Sequence, residues 1–300
     1  MGRRKNGRAL DGVLLLNKAL GASSNNVLQK GRWIYNANKA GHTGALDPLA
    51  SGMLPICFGN ATKFAQYSLD ADKTYETTAT LGVRTTTSDA DGEVVSEDNT
   101  PITEAQFISV LEDFRGDIKQ VPSMFSALKH EGKPLYYYAR QGIEIDRPAR
   151  PITIFELTVL RFAYPHVDLR VKCSKGTYIR SLVDDIGQAL GVGAFVSKLH
   201  RTGVSGYDDL PMYSVEHLEP LKTESDFSNL DALLLPVDHP VAHLPKLNLI
   251  ESDEAKFGNG QALMGYTGQD AVRVYDSSGT SFLGVAEFDG NKLQPKRLIS

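Results

Sequence analysis

The densest run of chemically suggestive residues is Gly41-His42-Thr43-Gly44-Ala45-Leu46-Asp47-Pro48-Leu49-Ala50-Ser51-Gly52. Its glycines let a backbone approach a ligand closely, and Asp47 is flanked by apolar Leu46 and Leu49. A carboxylate among apolar groups is poorly solvated, which keeps it reactive as a nucleophile or base. The same residues also fit a surface bend begun by Asp47-Pro48. Arg180 sits one helical turn before Asp184, a spacing that allows a local ion pair on its own helix. Tyr75 belongs to an alternating stretch and suits either the core or a ligand-facing position. Lys129, Lys133, Arg140, Arg147 and Arg150 are interleaved with Tyr136, Tyr137 and Tyr138. Cations bind phosphates and rings stack on splayed bases, so the cluster points to RNA, although each charge alone is ordinary solvated surface.

Metal and nucleotide motifs fail. Asp89-Ala90-Asp91-Gly92-Glu93 lacks the spacing of a calcium loop, and Pro240 between His239 and His243 spoils a helical metal pair. No Walker loop is present and no GxGxxG follows a strand. The expectation is a protein with no metal and no cofactor.

The elements around these residues follow from periodicity. Val13 to Leu16 predicts a short buried strand, and a helix from a capping Ser24 to about Tyr35 follows it. Gly41 to Gly59 mixes glycine, proline and small residues and predicts a tightly folded loop. Asn60 is placed to cap a helix running to about Leu69. Lys73 to Leu81 alternates as a half-buried strand, and Asp91-Gly92 gives a hairpin turn before Val94-Val95. Thr103 and Gln106 form a capping box ahead of the face Phe107, Val110, Leu111 and Phe114. Residues 120–150 form a long, partly exposed excursion. Strands return at Ile152–Phe162 and Val167–Cys173, followed by a helix with Ile179, Leu182, Val183 and Ile186 on one face. Residues 213–246, acidic and proline-bearing, predict a connector. Beyond Pro245 come a helix at 252–257 and strands near 271–276, 282–288 and 292–298, a small β-rich unit that must dock to be stable.

Composition bounds the class. With 300 residues, 41% hydrophobic and 23% charged, the chain is globular and long enough for one large domain and a small one. Cys57 and Cys173, distant in sequence, make neither a disulfide framework nor a zinc ribbon, which fits a cytoplasmic location. No apolar run reaches the ~20 residues of a membrane span, and Val13–Leu16 is too short for a signal peptide core after Arg3-Arg4-Lys5. Net charge is −4, yet residues 1–40 carry eight Lys/Arg against the single acid Asp11. A basic end of this kind is a solvated tail or an RNA contact.

The stretch around Asp47 resembles the catalytic motif of the TruB family, bacterial tRNA pseudouridine-55 synthases. The resemblance extends through Gly12–Gly21 with Ser23-Ser24, Gly59-Asn60-Ala61-Thr62-Lys63, Lys73-Thr74-Tyr75, Val121–Lys129 and Ser174–Leu182. It implies an α+β fold: a mixed, mainly antiparallel sheet flanked by helices, with a small C-terminal PUA-type β-barrel. The implied domains are 1–246, catalytic with an RNA-gripping insertion at about 120–150, and 247–300, RNA-binding. By resemblance Asp47, Tyr75 and Arg180 are catalytic. Asp47 attacks C1′ or assists removal of the C2′ proton, Arg180 pairs with it, and Tyr75 stacks on the base and helps move the C5 proton. Substrate contacts fall to His42, Tyr178, Leu199, Lys129, Arg140 and Lys63. The implied substrate is tRNA through its T-loop, with no membrane, no obligatory protein partner and a monomeric state. Two other readings are a catalytically silent RNA-binding or tRNA-folding protein and a subunit of an RNA-guided synthase. Ala19, Ser123, Phe125 and His200 depart from the commoner family residues proline, proline, tyrosine and arginine, which bears on RNA affinity rather than on the chemistry.

Overall fold

Alternating burial along antiparallel strands gives the molecule its frame. The structure is a computed structural model describing residues 7–223 and 226–299, so the basic Arg3-Arg4-Lys5 lies outside the described residues. Its strands are β1 (Gly12–Lys18), β2 (Ala40–His42), β3 (Ala50–Phe58), β4 (Lys73–Leu81), β5 (Val83–Thr85), β6 (Val94–Glu97), β7 (Gly116–Gln120), β8 (Lys129–His130), β9 (Lys133–Pro134), β10 (Arg150–Ala163), β11 (His166–Cys173) and β12 (Ala194–Val204). Eight of these form one sheet in the order β1-β3-β12-β4-β11-β10-β7, with β2 added on β3. Every ladder is antiparallel except β3–β12, which is parallel. β5–β6 and β8–β9 are separate two-stranded hairpins.

Helices cover the sheet where its strands are apolar. Those of the first 246 residues are α1 (Ser24–Ile34), α2 (Ala65–Asp70), α3 (Glu104–Leu111), α4 (Leu135–Ala139), α5 (Ile179–Ala189), α6 (Val215–Leu218) and α7 (Ser228–Asp231). On β4, Tyr75, Thr77 and Ala79 are buried while Glu76 and Thr78 are half-buried on the opposite face, the period-2 pattern of a half-covered strand. The covered face packs under α5 and α3 through Leu182, Val183, Ile186, Phe107 and Leu111. Burying each such side chain stabilises the fold by about 1.5–3 kcal/mol. α3 begins at the Thr103–Gln106 capping box, as its sequence requires.

Several elements differ from expectation. The glycine- and proline-rich run after Asp47 is not all loop, since Ala50–Phe58 is a strand buried along most of its length. Pro55 is tolerated because β12 runs beside β3 only from Ala50 to Gly52. At that crossing a Cβ on Gly52 (φ +103°) would sit 2.2 Å from the Arg201 carbonyl oxygen, so only glycine fits. The central strand β12 had no expectation, because polar Ser197, Lys198, His200 and Arg201 break its apolar alternation. Ser23, not Ser24, caps α1, accepting from the Asn26 amide. Asn60 is no cap either. It donates to the Asp11 carboxylate beside a 3-10 turn at Gly59–Lys63. Residues 213–246 pack against β1, β3 and α1 through Leu218 and Leu230, both fully buried, and so do more than connect. The 120–150 excursion contains the β8–β9 hairpin and α4.

The C-terminal unit has β13 (Lys246–Asn248), α8 (Glu251–Gly258), β14 (Leu263–Met264), β15 (Ala271–Tyr275), β16 (Phe282–Asp289) and β17 (Lys292–Leu298). Its five strands, in the order β13-β15-β16-β17-β14, curl into a half-barrel around Leu249, Phe257, Val274 and Leu293. It docks on the body through Phe282 and Val285 against Phe64 and Val241, with the Phe64 and Phe282 rings 5.2 Å apart. Arg273 Nη1 donates to Asp238 Oδ2 at 2.9 Å across the same junction.

Candidate active site

Asp47 is presented by the turn between β2 and β3, whose closure is marked by the Ala50 amide donating to the Asp47 carbonyl at 3.0 Å. The turn is pinned from below. Ser24 Oγ donates to the Leu46 carbonyl at 2.9 Å and accepts from the Leu46 amide at 2.7 Å, so α1 fixes the residue before the acid.

Arg180 enters from the first turn of α5. Its Nη2 lies 2.8 Å from Asp47 Oδ2, and its Nη1 lies 3.3 Å from Asp89 Oδ2. The same two nitrogens also donate to backbone carbonyls, Nη1 to Thr87 at 3.1 Å and Nη2 to Phe125 at 2.9 Å. Asp184 is taken instead by Arg84, Nε to Oδ1 at 2.8 Å, so the local helical pair allowed by spacing does not form. The Arg180 side chain is 5% exposed and that of Asp89 6%, whereas Asp47 keeps 44%. The guanidinium is therefore a buried post, and the carboxylate it holds faces outward.

Three further groups complete the wall. Tyr75 on β4 and Leu199 on β12 lie on the same sheet face, Leu199 paired with Thr77 and with Ala50. Tyr178 precedes α5 and is clamped by Gln120, whose Oε1 accepts from its amide at 2.8 Å and whose Nε2 donates to its carbonyl at 3.1 Å. Asp47, Tyr75, Tyr178, Arg180 and Leu199 line one cleft of about 120 Å³. That volume is well below the ~300–1,000 Å³ of sites for drug-sized ligands and suits a single planar ring. A larger cavity of about 540 Å³ adjoins it across Leu199, lined by Ser51, Glu76, Asp168, Lys198 and His200. Its two acids pair with exposed arginines, Glu76 with Arg170 at 2.9 Å and Asp168 with Arg161 at 2.8 Å, rather than with a buried one.

The electrostatics favour a poised acid. Burial pushes the Asp47 carboxyl above its ordinary range, Arg180 pulls it back, Asp89 adds to the rise, and Lys18 opposes it. Burial likewise raises the Tyr75 hydroxyl, which is a phenol at neutral pH. Burial and then Arg201 lower the His42 imidazole below its ordinary 6.5, leaving it neutral. Its Nδ1 is buried without a hydrogen-bond partner. A carboxylate with one oxygen on Arg180 and an open side can attack a sugar carbon or take a proton from the neighbouring carbon.

His42 lies at the end of β2, half-buried and outside the lining of the cleft. Lys129 on β8 and Arg140 after α4 are exposed on the excursion, the Arg140 guanidinium 5.4 Å from the Tyr136 ring centre. Lys63 donates to the Leu298 carbonyl at 2.8 Å, placing it at the junction with the C-terminal unit. Sequence reasoning missed three residues. Asp89 was noticed only within a rejected calcium-loop match, and its approach to Arg180 depends on the fold of the β5–β6 loop. Lys18, wholly buried, donates to the Ala19 and Ala22 carbonyls at 3.0 and 2.6 Å. Arg201, also buried, donates to the Met53 and Gly44 carbonyls at 2.7 and 3.1 Å. Neither of the latter two carried a signal, since Lys18 lies just past the strand expected at Val13–Leu16 and Arg201 stands on a strand that was not expected.

Residues 32–179 match the TruB family pseudouridylate synthase N-terminal domain, and 180–242 the tRNA pseudouridylate synthase B C-terminal domain. Residues 245–299 match the C-terminal domain of pseudouridine synthase II TruB. The chain is 54% identical over 305 residues to tRNA pseudouridine synthase B of Haemophilus influenzae (strain PittEE), covering 99% of this chain and 98% of that protein. To the protein of the same name in Aeromonas salmonicida (strain A449) it is 54% identical over 306 residues, covering 99% and 96%. Among solved structures, a Cbf5 chain from the crystal structure of a Cbf5-Nop10-Gar1 complex superposes with a TM-score of 0.73 at 27% identity, covering 96% of this chain and 84% of that one. With its mixed sheet, its helices and a half-barrel at the C-terminal end, the chain has the pseudouridine synthase fold and belongs to the TruB family of pseudouridylate synthases.

Proposed function

We propose that this protein isomerises uridine to pseudouridine in tRNA, at position 55 of the T-loop, acting as a cytoplasmic monomer without metal, cofactor or obligatory protein partner. The observation that carries this reading is the Asp47–Arg180 pair at 2.8 Å, opening into a cleft sized for one ring. The reaction must break the C1′–N1 bond, turn the base and rejoin it through C5. Asp47, held anionic by Arg180, supplies the attack on C1′ or removes the C2′ proton. Tyr178 and Leu199 offer faces to an everted uracil, offsetting the few kcal/mol of stacking lost in flipping it. Tyr75 moves the C5 proton. The process is redox-neutral and needs no energy input.

His42, Lys63, Lys129 and Arg140 contact RNA in this reading, residues 1–246 carry the chemistry and residues 247–300 add RNA-binding surface. Removing 247–300 is expected to weaken tRNA affinity more than the rate at saturating enzyme. The identity of 54% to proteins named tRNA pseudouridine synthase B, against 27% to the Cbf5 chain, favours tRNA over a guide-directed target. Incubating the purified protein alone with unmodified tRNA and mapping pseudouridine tests the proposal. Modification confined to position 55 supports it. No modification until a guide RNA or a second protein is added points to the guided reading, and no modification under any condition points to a silent binder.

A further inference from the structure

Arg201 is the bulkiest of the fully buried side chains, and among the described residues no carboxylate pairs with it. A buried guanidinium without a counter-ion is costly, so its position calls for a reason. The Met53 and Gly44 carbonyls occupy two of its donor directions. In the β4–β12 ladder Arg201 stands directly opposite Tyr75, on the sheet face that lines the cleft. Cross-strand partners of this kind lie within side-chain reach.

We infer that Arg201 is a positioning residue for proton transfer, orienting the Tyr75 hydroxyl and stabilising the phenolate that forms during the reaction. The inference rests on the assignment of Tyr75 as the group that moves the C5 proton. Once C5 has bonded to C1′, the ring carries a C5–H bond and an N1=C6 double bond. Tyr75 gives its proton to N1, and the N1=C6 π pair is drawn towards N1. The phenolate left behind then takes the C5 proton, and the C5–H pair becomes the C5=C6 double bond. One proton has moved from C5 to N1, Tyr75 is a phenol again, and nothing is oxidised or reduced. The transient anion needs a fixed cation beside it, which Arg201 supplies from a buried position that requires no reorganisation. Consistent with this, Arg201 opposes the burial that raises the Tyr75 hydroxyl.

A purely structural Arg201 would only hold the backbone at Gly44 and Met53, and an isotope effect distinguishes the two roles. Single-turnover rates would be measured on tRNA bearing uridine or 5-deuteriouridine at the target, for wild type, Arg201→Gln, Arg201→Lys, Tyr75→Phe and the Tyr75→Phe/Arg201→Gln double variant. Arg201→Gln is expected to slow turnover by about tenfold or more, as loss of part of a general acid–base device does, and to raise the deuterium effect as Tyr75→Phe does. Arg201→Lys is expected to restore part of both, and the double variant to be no slower than the worse single one. A raised effect in Tyr75→Phe with a wild-type effect in the Arg201 variants overturns the role of Arg201 alone. A wild-type effect in Tyr75→Phe overturns the Tyr75 assignment and the inference with it. Should Arg201→Gln not fold, Arg201→Lys carries the test, because a single ammonium cannot reproduce the guanidinium's several directed donors: a deuterium effect between those of wild type and Tyr75→Phe supports the role, and a wild-type effect overturns it.

Discussion

At the scale of single residues, the site is a contest between burial and charge pairing around Asp47. Burial raises its pKa, and Arg180 keeps it from rising further. If Asp47 acts as proposed, its working form is the anion, and activity is expected to fall as pH drops through a value above the ordinary 3.8 of a free carboxyl. The sign for stability is opposite to that of a salt-bridged surface acid. A raised folded pKa makes ionisation a penalty, absent below the unfolded value and fully present above the folded one. Asp47→Asn is therefore expected to leave thermal stability at neutral pH unchanged or slightly higher. Arg180→Gln is expected to be destabilising by about 3–5 kcal/mol, because Asp89 is left buried without its cation. Denaturant titration measures this, and the acid limb of the rate profile is expected to move to higher pH in the same variant. Apolar neighbours and glycines made Asp47 a candidate, but they fit a surface bend equally well, and only the family resemblance singled out both the acid and its partner. Spacing could not choose between Asp47 and Asp184 for Arg180, because the choice is made by Arg84, which reaches Asp184 from β5.

At the scale of elements, the two strands that carry the cleft are held by a close crossing. β3 and β12 run parallel for three residues, and Gly52 is where they touch. Gly52→Ala is expected to cost more than about 1 kcal/mol, since it combines a positive φ with a backbone clash, and a lowered midpoint in denaturant would show it. β4, α3 and α5 were readable because their burial alternates with the period of their own element. β12 was not, because beside an exposed Lys198 it carries His200 and Arg201, which its neighbours satisfy: Ser51 Oγ meets His200 Nδ1 at 2.9 Å, and backbone carbonyls meet Arg201. Functional strands hide from hydropathy patterns when polar side chains on them are paired by distant residues.

At the scale of the whole molecule, one sheet supports the cleft, a 30-residue excursion stands beside it, and a half-barrel is fixed by an apolar junction. Arg180 touches both Asp47 and the Phe125 carbonyl at the root of the excursion, so the ion pair and that segment share one support. If Lys129 and Arg140 bind phosphates, replacing both with Ala is expected to weaken tRNA binding and lower the slope of log affinity against log salt by roughly 1–2. The single-turnover rate at saturating enzyme should stay near wild type. A salt titration of tRNA affinity measures the first, and an unchanged slope would remove these residues from the RNA surface. The small C-terminal unit was visible as a strand pattern, but its attachment through Phe64 and Val241 was not, since long-range docking leaves no local periodicity.

The most direct measurement is single-turnover pseudouridine formation by Asp47→Asn on unmodified tRNA, with tRNA affinity measured in parallel. The account predicts that product formation is abolished while affinity stays within about twofold of wild type, as expected when only transition-state chemistry is lost. Turnover comparable to wild type, with the fold intact, would contradict it.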